Sequence, residues 1–113
     1  MCRYLGNDMV LGNLFIKVIE REMNEITFEK IYDFIYFSSI KLNEKENTTI
    51  LVSRDGIMNF AEIYAEFIEI DESEEKIIIT KSEELLICFR KRYEDNRKEF
   101  ADSFDFALEQ IAA

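Results

Sequence analysis

Residues 48–80, TTILVSRDGIMNFAEIYAEFIEIDESEEKIIIT, decide the fold. Two β-branched runs, Thr48 to Ser53 and Lys76 to Thr80, bracket a segment of ambiguous periodicity. The first run is followed by Asp55-Gly56, a dipeptide that tolerates positive φ and signals a hairpin, so 48–58 reads as a strand and its return. The second run reads as a strand pairing with Ile50 to Val52. Between them, Asn59 to Ile70 sorts polar from apolar better as a helix. Phe60, Ile63, Tyr64, Phe67 and Ile68 then form one stripe, and Glu62, Glu66 and Glu69 form the opposite one. Read as a strand, Phe60, Tyr64, Ile68 and Ile70 would share a face with Glu62 and Glu66. The helix carries a like-charge pair at i,i+4, Glu62 with Glu66, at a cost of about 0.2–0.5 kcal/mol.

The same stretch carries the charge. From Asp55 to Glu75 there are eight acidic side chains and no Lys or Arg, which supplies −8 of the formal −10. A field this one-sided is either well solvated or faces something positive. With the helix in place, Glu62, Glu66 and Glu69 adjoin a turn holding Asp71, Glu72, Glu74 and Glu75, with Tyr64 at the edge. These eight residues are the expected partner-binding surface.

Working outward, residues 9–23 read as an amphipathic helix, with Asp8 or Asn7 placed to cap it. Leu11, Leu14, Phe15, Val18, Ile19 and Met23 make its apolar stripe. Thr27 offers an N-cap for a second helix from Phe28 to about Leu42. That helix is apolar on most sides and therefore expected to be the buried, central one. Its rival is a helix ending near Asp33 and a strand from Phe34 to Leu42. Asn43 to Asn47 is a polar loop. Thr80-Lys-Ser-Glu83 matches a capping box, after which Leu86, Phe89, Tyr93, Phe100, Phe104, Ala107 and Ile111 keep helical spacing. A single helix from 81 to 111 would be about 45 Å long, so two pieces breaking near Asp95-Asn96 are expected. The result is one α+β domain, 1–113, with helices at both ends and a small antiparallel sheet built around 48–58 and 76–80. The alternative is a mostly α-helical bundle with one β-hairpin.

Composition excludes a good deal. At 113 residues, 48% hydrophobic and 34% charged, the chain is globular rather than disordered. No Pro and only three Gly argue against a many-turned β-sandwich. Ten Phe and five Tyr exceed what so small a core needs, so one or two Tyr should be partly exposed. There is no His, Cys2 and Cys88 stand apart, and no Gly-rich loop can cradle a phosphate. No catalytic, cofactor-binding or metal residue is therefore expected. Glu62, Glu66 and Glu69 could in principle hold Mg²⁺ or supply an acid and a base, but such sites draw ligands from several elements and shield them from water. Asp71-x-Ser73-x-Glu75 opens like a calcium loop, yet Lys76 holds the Gly position and Ser82 the position of the bidentate Glu. The two Cys read as free thiols in a reducing cytoplasm, Cys88 as a small core residue. No signal peptide is evident, and no run approaches the roughly 20 apolar residues of a membrane span, so a cytoplasmic location is expected.

Arg90, Lys91, Arg92, Arg97 and Lys98 form the one basic cluster, diluted by Glu94, Asp95 and Glu99. With a sequence pI near 4.5, direct nucleic-acid binding is not expected. The cluster could instead meet the 55–75 acids of the same or a neighbouring subunit. The functional expectation is a non-enzymatic acidic protein that binds or inhibits a basic protein partner such as a nuclease, as immunity proteins, antitoxins and phage inhibitors do. The alternative is a self-associating accessory subunit, possible as a homodimer along 86–111, whose acidity serves only solubility.

Overall fold

Ser53 sets the middle of the chain. Its backbone is extended (φ −117°, ψ 170°) and its hydroxyl accepts a 3.1 Å hydrogen bond from the Gly56 N–H, a Ser N-cap that starts a helix over Arg54–Ile63. The computed structural model describes residues 3–112, apart from the side chains of Arg3, Asn96 and Arg97. In chain order the elements are β1 (Arg3–Leu5), α1 (Asn7–Glu20), β2 (Glu25–Thr27), α2 (Phe28–Lys45), β3 (Thr48–Ile50), α3 (Arg54–Ile63), β4 (Ile68–Asp71), β5 (Lys76–Ile79) and α4 (Ser82–Ala112). The architecture is α+β, as the sequence implies. Among the described residues no helix is long and apolar enough to cross a membrane.

The sheet, however, is assembled from different partners. Asp55-Gly56 lies in the first turn of α3, and no glycine has positive φ, so 48–58 is not a hairpin. Gly56 matters for closeness instead: a Cβ there would stand 2.7 Å from Asn7 Oδ1, and the Asn7 amide donates to Gly56 O at 2.8 Å. β3 pairs in parallel with β1, in the register Tyr4 to Thr49. A parallel pair needs a crossover, which α1, β2 and α2 provide. β5 is the centre of a separate antiparallel sheet of order β2-β5-β4, with Ile26 opposite Ile77 and Glu69 opposite Ile78. The apolar run Lys76–Ile79 needs pairing on both edges, which the 48–58 segment alone could not give.

α1, not α2, is the central helix. Val10 to Ile16 are all buried, along with Val18 and Ile19. Gly6 rather than Asn7 or Asp8 is its N-cap, because the Asn7 side chain is committed to Gly56. Gly12 lets a neighbour close in: a Cβ would stand 2.2 Å from Tyr93 Cε2. α1 ends in a Schellman turn, with Met23 N–H bonded to Val18 O, Glu22 N–H to Ile19 O, and Glu22 at φ 60°. α2 is capped by Thr27 as expected and runs on through Lys45, without a strand at 34–42. It keeps Tyr32, Tyr36 and Ile40 exposed, whereas α1 buries Val10 to Ile16 without a break.

α4 consists of two helical pieces joined at a kink at Tyr93 (φ −113°, ψ 17°), as expected, the break falling two residues before Asp95-Asn96. A straight helix of its 31 residues would measure about 46 Å. The longest dimension of the fold is 37 Å, so the helix bends to stay on the core. Its first intrahelical bond runs from Leu85 N–H to Lys81 O, making Lys81, not Thr80, the N-cap. The core is an aromatic chain: Phe15 stacks on Phe60 (5.6 Å), Phe60 meets Tyr64 (4.8 Å), and Phe89 links Tyr64 to Tyr93 (4.8 and 5.6 Å). Phe34, Phe100 and Phe104 form a second group joining α2 to α4. Cys88 is a half-buried free thiol against this core, while Cys2 lies outside the described residues.

Candidate functional site

The acidic face is built by three elements rather than one helix. α3 stops at Ile63 because Tyr64, the residue after it, turns inward onto Phe60 and Phe89. The chain then makes a tight turn, with Phe67 N–H on Tyr64 O at 2.9 Å, and enters β4. Glu62 therefore sits on the helix, Glu66 in the turn, and Glu69 on the strand. Tyr64 is not at the edge of the patch. It is 6% exposed, and its hydroxyl accepts a 2.8 Å hydrogen bond from Arg92.

The remaining acids lie on the β4–β5 hairpin. Asp71 points back into its own turn, accepting from the Ser73 hydroxyl (2.6 Å) and from the Ser73 and Glu74 N–H groups (3.1 and 3.2 Å). The Ser73 hydroxyl, then the Glu74 N–H, hold its carboxyl below the usual carboxylate range. Lys76 lies between Glu74 (2.7 Å) and Glu25 (3.2 Å), and these two bonds, Glu74 first, raise its ammonium above the ordinary lysine value. Glu75 holds φ 48°, a left-handed conformation that favours glycine, and reaches Arg54 at 3.3 Å. Glu66 approaches Lys81 at 4.0 Å. Among the described residues, Glu62, Glu69 and Glu72 make no ion pair.

Glu62 and Glu69 are brought together by something the sequence reading missed. They flank an open groove of about 510 Å³ between α3 and β4, lined by Met58, Ala61, Ala65, Ile68 and Ile70. Met58 and Ala61 on the helix, Ala65 in the turn and two isoleucines on the strand give it an apolar floor beside two carboxylates. The signal was present in Ile68-Glu-Ile-Asp71, whose period-two alternation marks a strand. Of the described members of the basic cluster, Arg90 pairs with Glu20 at 2.8 Å and Arg92 with the Tyr64 hydroxyl, away from Glu62 and Glu69. The 86–111 stripe offered for self-association is largely spent inside the fold, with Phe89, Tyr93, Phe100, Phe104, Ala107 and Ile111 buried. Among the described residues no group of three or more His, Cys, Asp or Glu is disposed to hold a metal ion.

No protein-family model matches the chain, and no solved structure does. Among curated proteins it is similar to the uncharacterized protein RC0550 of Rickettsia conorii, at 25% identity over 112 residues. The likeness covers 99% of this chain and 13% of that protein, so the chain spans about an eighth of the length of the relative it matches.

Proposed function

We propose that the chain is a non-enzymatic protein-binding module that presents its acidic face to a basic protein, in the manner of a small inhibitor. The observation that carries this reading is the groove between α3 and β4, where an apolar floor lies beneath two carboxylates, Glu62 and Glu69, that make no ion pair among the described residues. Apolar contact supplies the off-rate and the surrounding negative potential speeds encounter with a positive partner. The hairpin adds to it: Glu75 keeps a charged side chain in a conformation where glycine is preferred, at a cost of about 1 kcal/mol. The likeness to one stretch of a much longer protein fits a module that works inside different chains.

Pull-down at low and high salt tests the reading. A basic protein recovered at low salt, and lost when Glu66, Glu69, Asp71 and Glu72 become Gln or Asn, is the expected result. Binding indifferent to both salt and those substitutions overturns it. A second reading, self-association, is favoured by the exposed stripe Tyr32, Tyr36 and Ile40 on α2. Sedimentation at two concentrations decides it, since a dimer dispersed by Tyr36→Glu would place the interface there.

A further inference from the structure

The groove has one wall made of unpaired backbone. Thr80 N–H bonds to Phe67 O at 2.8 Å, so with the observed register 67 with 80, 69 with 78 and 71 with 76 are the hydrogen-bonded pairs of β4 and β5. The other edge of β5 confirms the alternation, because Ile79 N–H goes to Asn24 O and Phe28 N–H to Glu75 O. Ile68 and Ile70 therefore aim their N–H and C=O groups away from the sheet. Ile68 N–H is taken by Tyr64 O at 3.1 Å. The outward groups of Ile70 and the carbonyl of Ile68 have no such partner among the described residues. β4 is an edge strand, and no residue of β5 lines the groove, so the groove lies along that open edge with α3 as its far wall.

We propose that this edge accepts an extended basic segment of another polypeptide as an added strand, lying between β4 and α3. Main-chain bonds to Ile70 and to Ile68 O supply the register, and alternate side chains supply specificity. A residue opposite Glu69 meets a carboxylate and is favoured as Lys or Arg. Its neighbours turn toward Ala61, Ala65, Ile68 and Ile70 and are favoured as apolar. A second copy of this chain is a poor occupant. Two β4 edges joined through Ile68 and Ile70 place Glu69 against Glu69, and a shift by two residues places Glu69 against Asp71. The inference rests on the acidic-face reading and specifies how that face is used.

The probe is a short fluorescein-labelled peptide alternating lysine with valine, titrated into the full chain and followed by anisotropy and amide shifts. Shifts are expected at Glu69 to Glu72 and Ala61 to Ala65, with no binding of a peptide alternating glutamate with valine. Ile70→Pro removes the outward N–H while sparing the β5 ladder, and Ala65→Trp fills the groove from an exposed position; each should weaken binding about tenfold or more. If both variants fold and bind as the native chain does, the strand-addition proposal is overturned. Should the paired change Glu62→Gln and Glu69→Gln still abolish binding in that case, the acidic-face reading survives alone. Absence of any binding by the lysine–valine peptide overturns the proposal, and the salt-dependent pull-down then judges the broader reading separately. A concentration-dependent dimer lost in Ile70→Pro would put a second copy in the groove and also overturn it.

Discussion

Replacing Gly12 with Ala tests the packing of α1 against the kink of α4. In an isolated helix this change favours folding by up to about 1 kcal/mol. Here the added Cβ would stand 2.2 Å from Tyr93 Cε2 and 2.7 Å from Cδ2 and Cζ. Carbon atoms rest at about 3.5–4.0 Å, so the ring must retreat by more than an ångström. It has little room: it is 6% exposed, its edge meets Phe89 at 5.6 Å, and its backbone is already off helical geometry. Overpacking of this kind costs about 1–3 kcal/mol, which outweighs the propensity gain at all but its lower end. Urea unfolding should show a net loss of about 1–2 kcal/mol. The control is the same change in a Tyr93→Leu background, where Cε2 and Cζ are gone. There Gly12→Ala should be neutral or stabilising, giving a coupling energy of about 2 kcal/mol. Equal effects in the two backgrounds, or a stabilised single variant, would refute the argument.

Three further outcomes follow from the backbone and from buried or turned-in polar groups. Glu22→Gly relieves the left-handed residue that closes α1 and should raise the melting temperature, equivalent to about 1 kcal/mol; a lower value would mean the Glu22 side chain contributes more than its backbone costs. Among the described residues the buried Tyr93 hydroxyl has no hydrogen-bond partner, and burial first, the nearby Tyr64 hydroxyl second, push it well above the ordinary phenol value of 10.0. That stability is present below pH 10 and lost as pH rises above it, so Tyr93→Phe should be neutral or stabilising by about 1 kcal/mol at pH 7 and should remove part of the alkaline loss in a pH series of urea melts. Asp71 shifts the other way: its stabilisation is present above the usual carboxylate value of 3.8 and lost as pH falls through its lower folded value. Asp71→Ala should therefore melt below the native protein at pH 7, the gap closing in acid, and a gap that persists to pH 2 would contradict the turn hydrogen bonds.

Much of the helical framework could be read directly. The α1 stripe, the Thr27 cap, the strand at Lys76 and the solvated turn at 71–75 all stand as the sequence implies. Fifteen rings did leave tyrosines at the surface, Tyr36 at 62%. What could not be read was governed by contacts distant in sequence. Asp55-Gly56 has the local chemistry of a hairpin, but Ser53 caps the turn and Asn7, 49 residues away, occupies the space beside the glycine. The kink falls at Tyr93, the residue whose ring lies over Gly12 of another helix, a proximity that no local pattern in the sequence reveals. Asn59 to Ile70 changes period midway, helical to Ile63 and alternating from Ile68, so a single period fitted to the whole averages two elements into one. That averaging concealed the groove, because it laid Glu62 and Glu69 on one helix face and left no edge strand between them.

The acids on β4 admit a simpler role, since charged residues on edge strands commonly guard against unwanted pairing. The two roles share one physical basis and differ in what surrounds the charge. A guard needs only repulsion, and an edge can be closed by a covering loop, a bulge or a proline; β4 has a groove along its open side instead. Glu69 repels the strand most abundant at any local concentration of this protein, its own copy. The same carboxylate, with Glu62 across an apolar floor, leaves the edge open to a strand of opposite charge. On the strand-addition proposal, repulsion of self and attraction of a basic segment are one interaction with two signs, and the hairpin acids would strengthen both by extending the negative field beyond the groove.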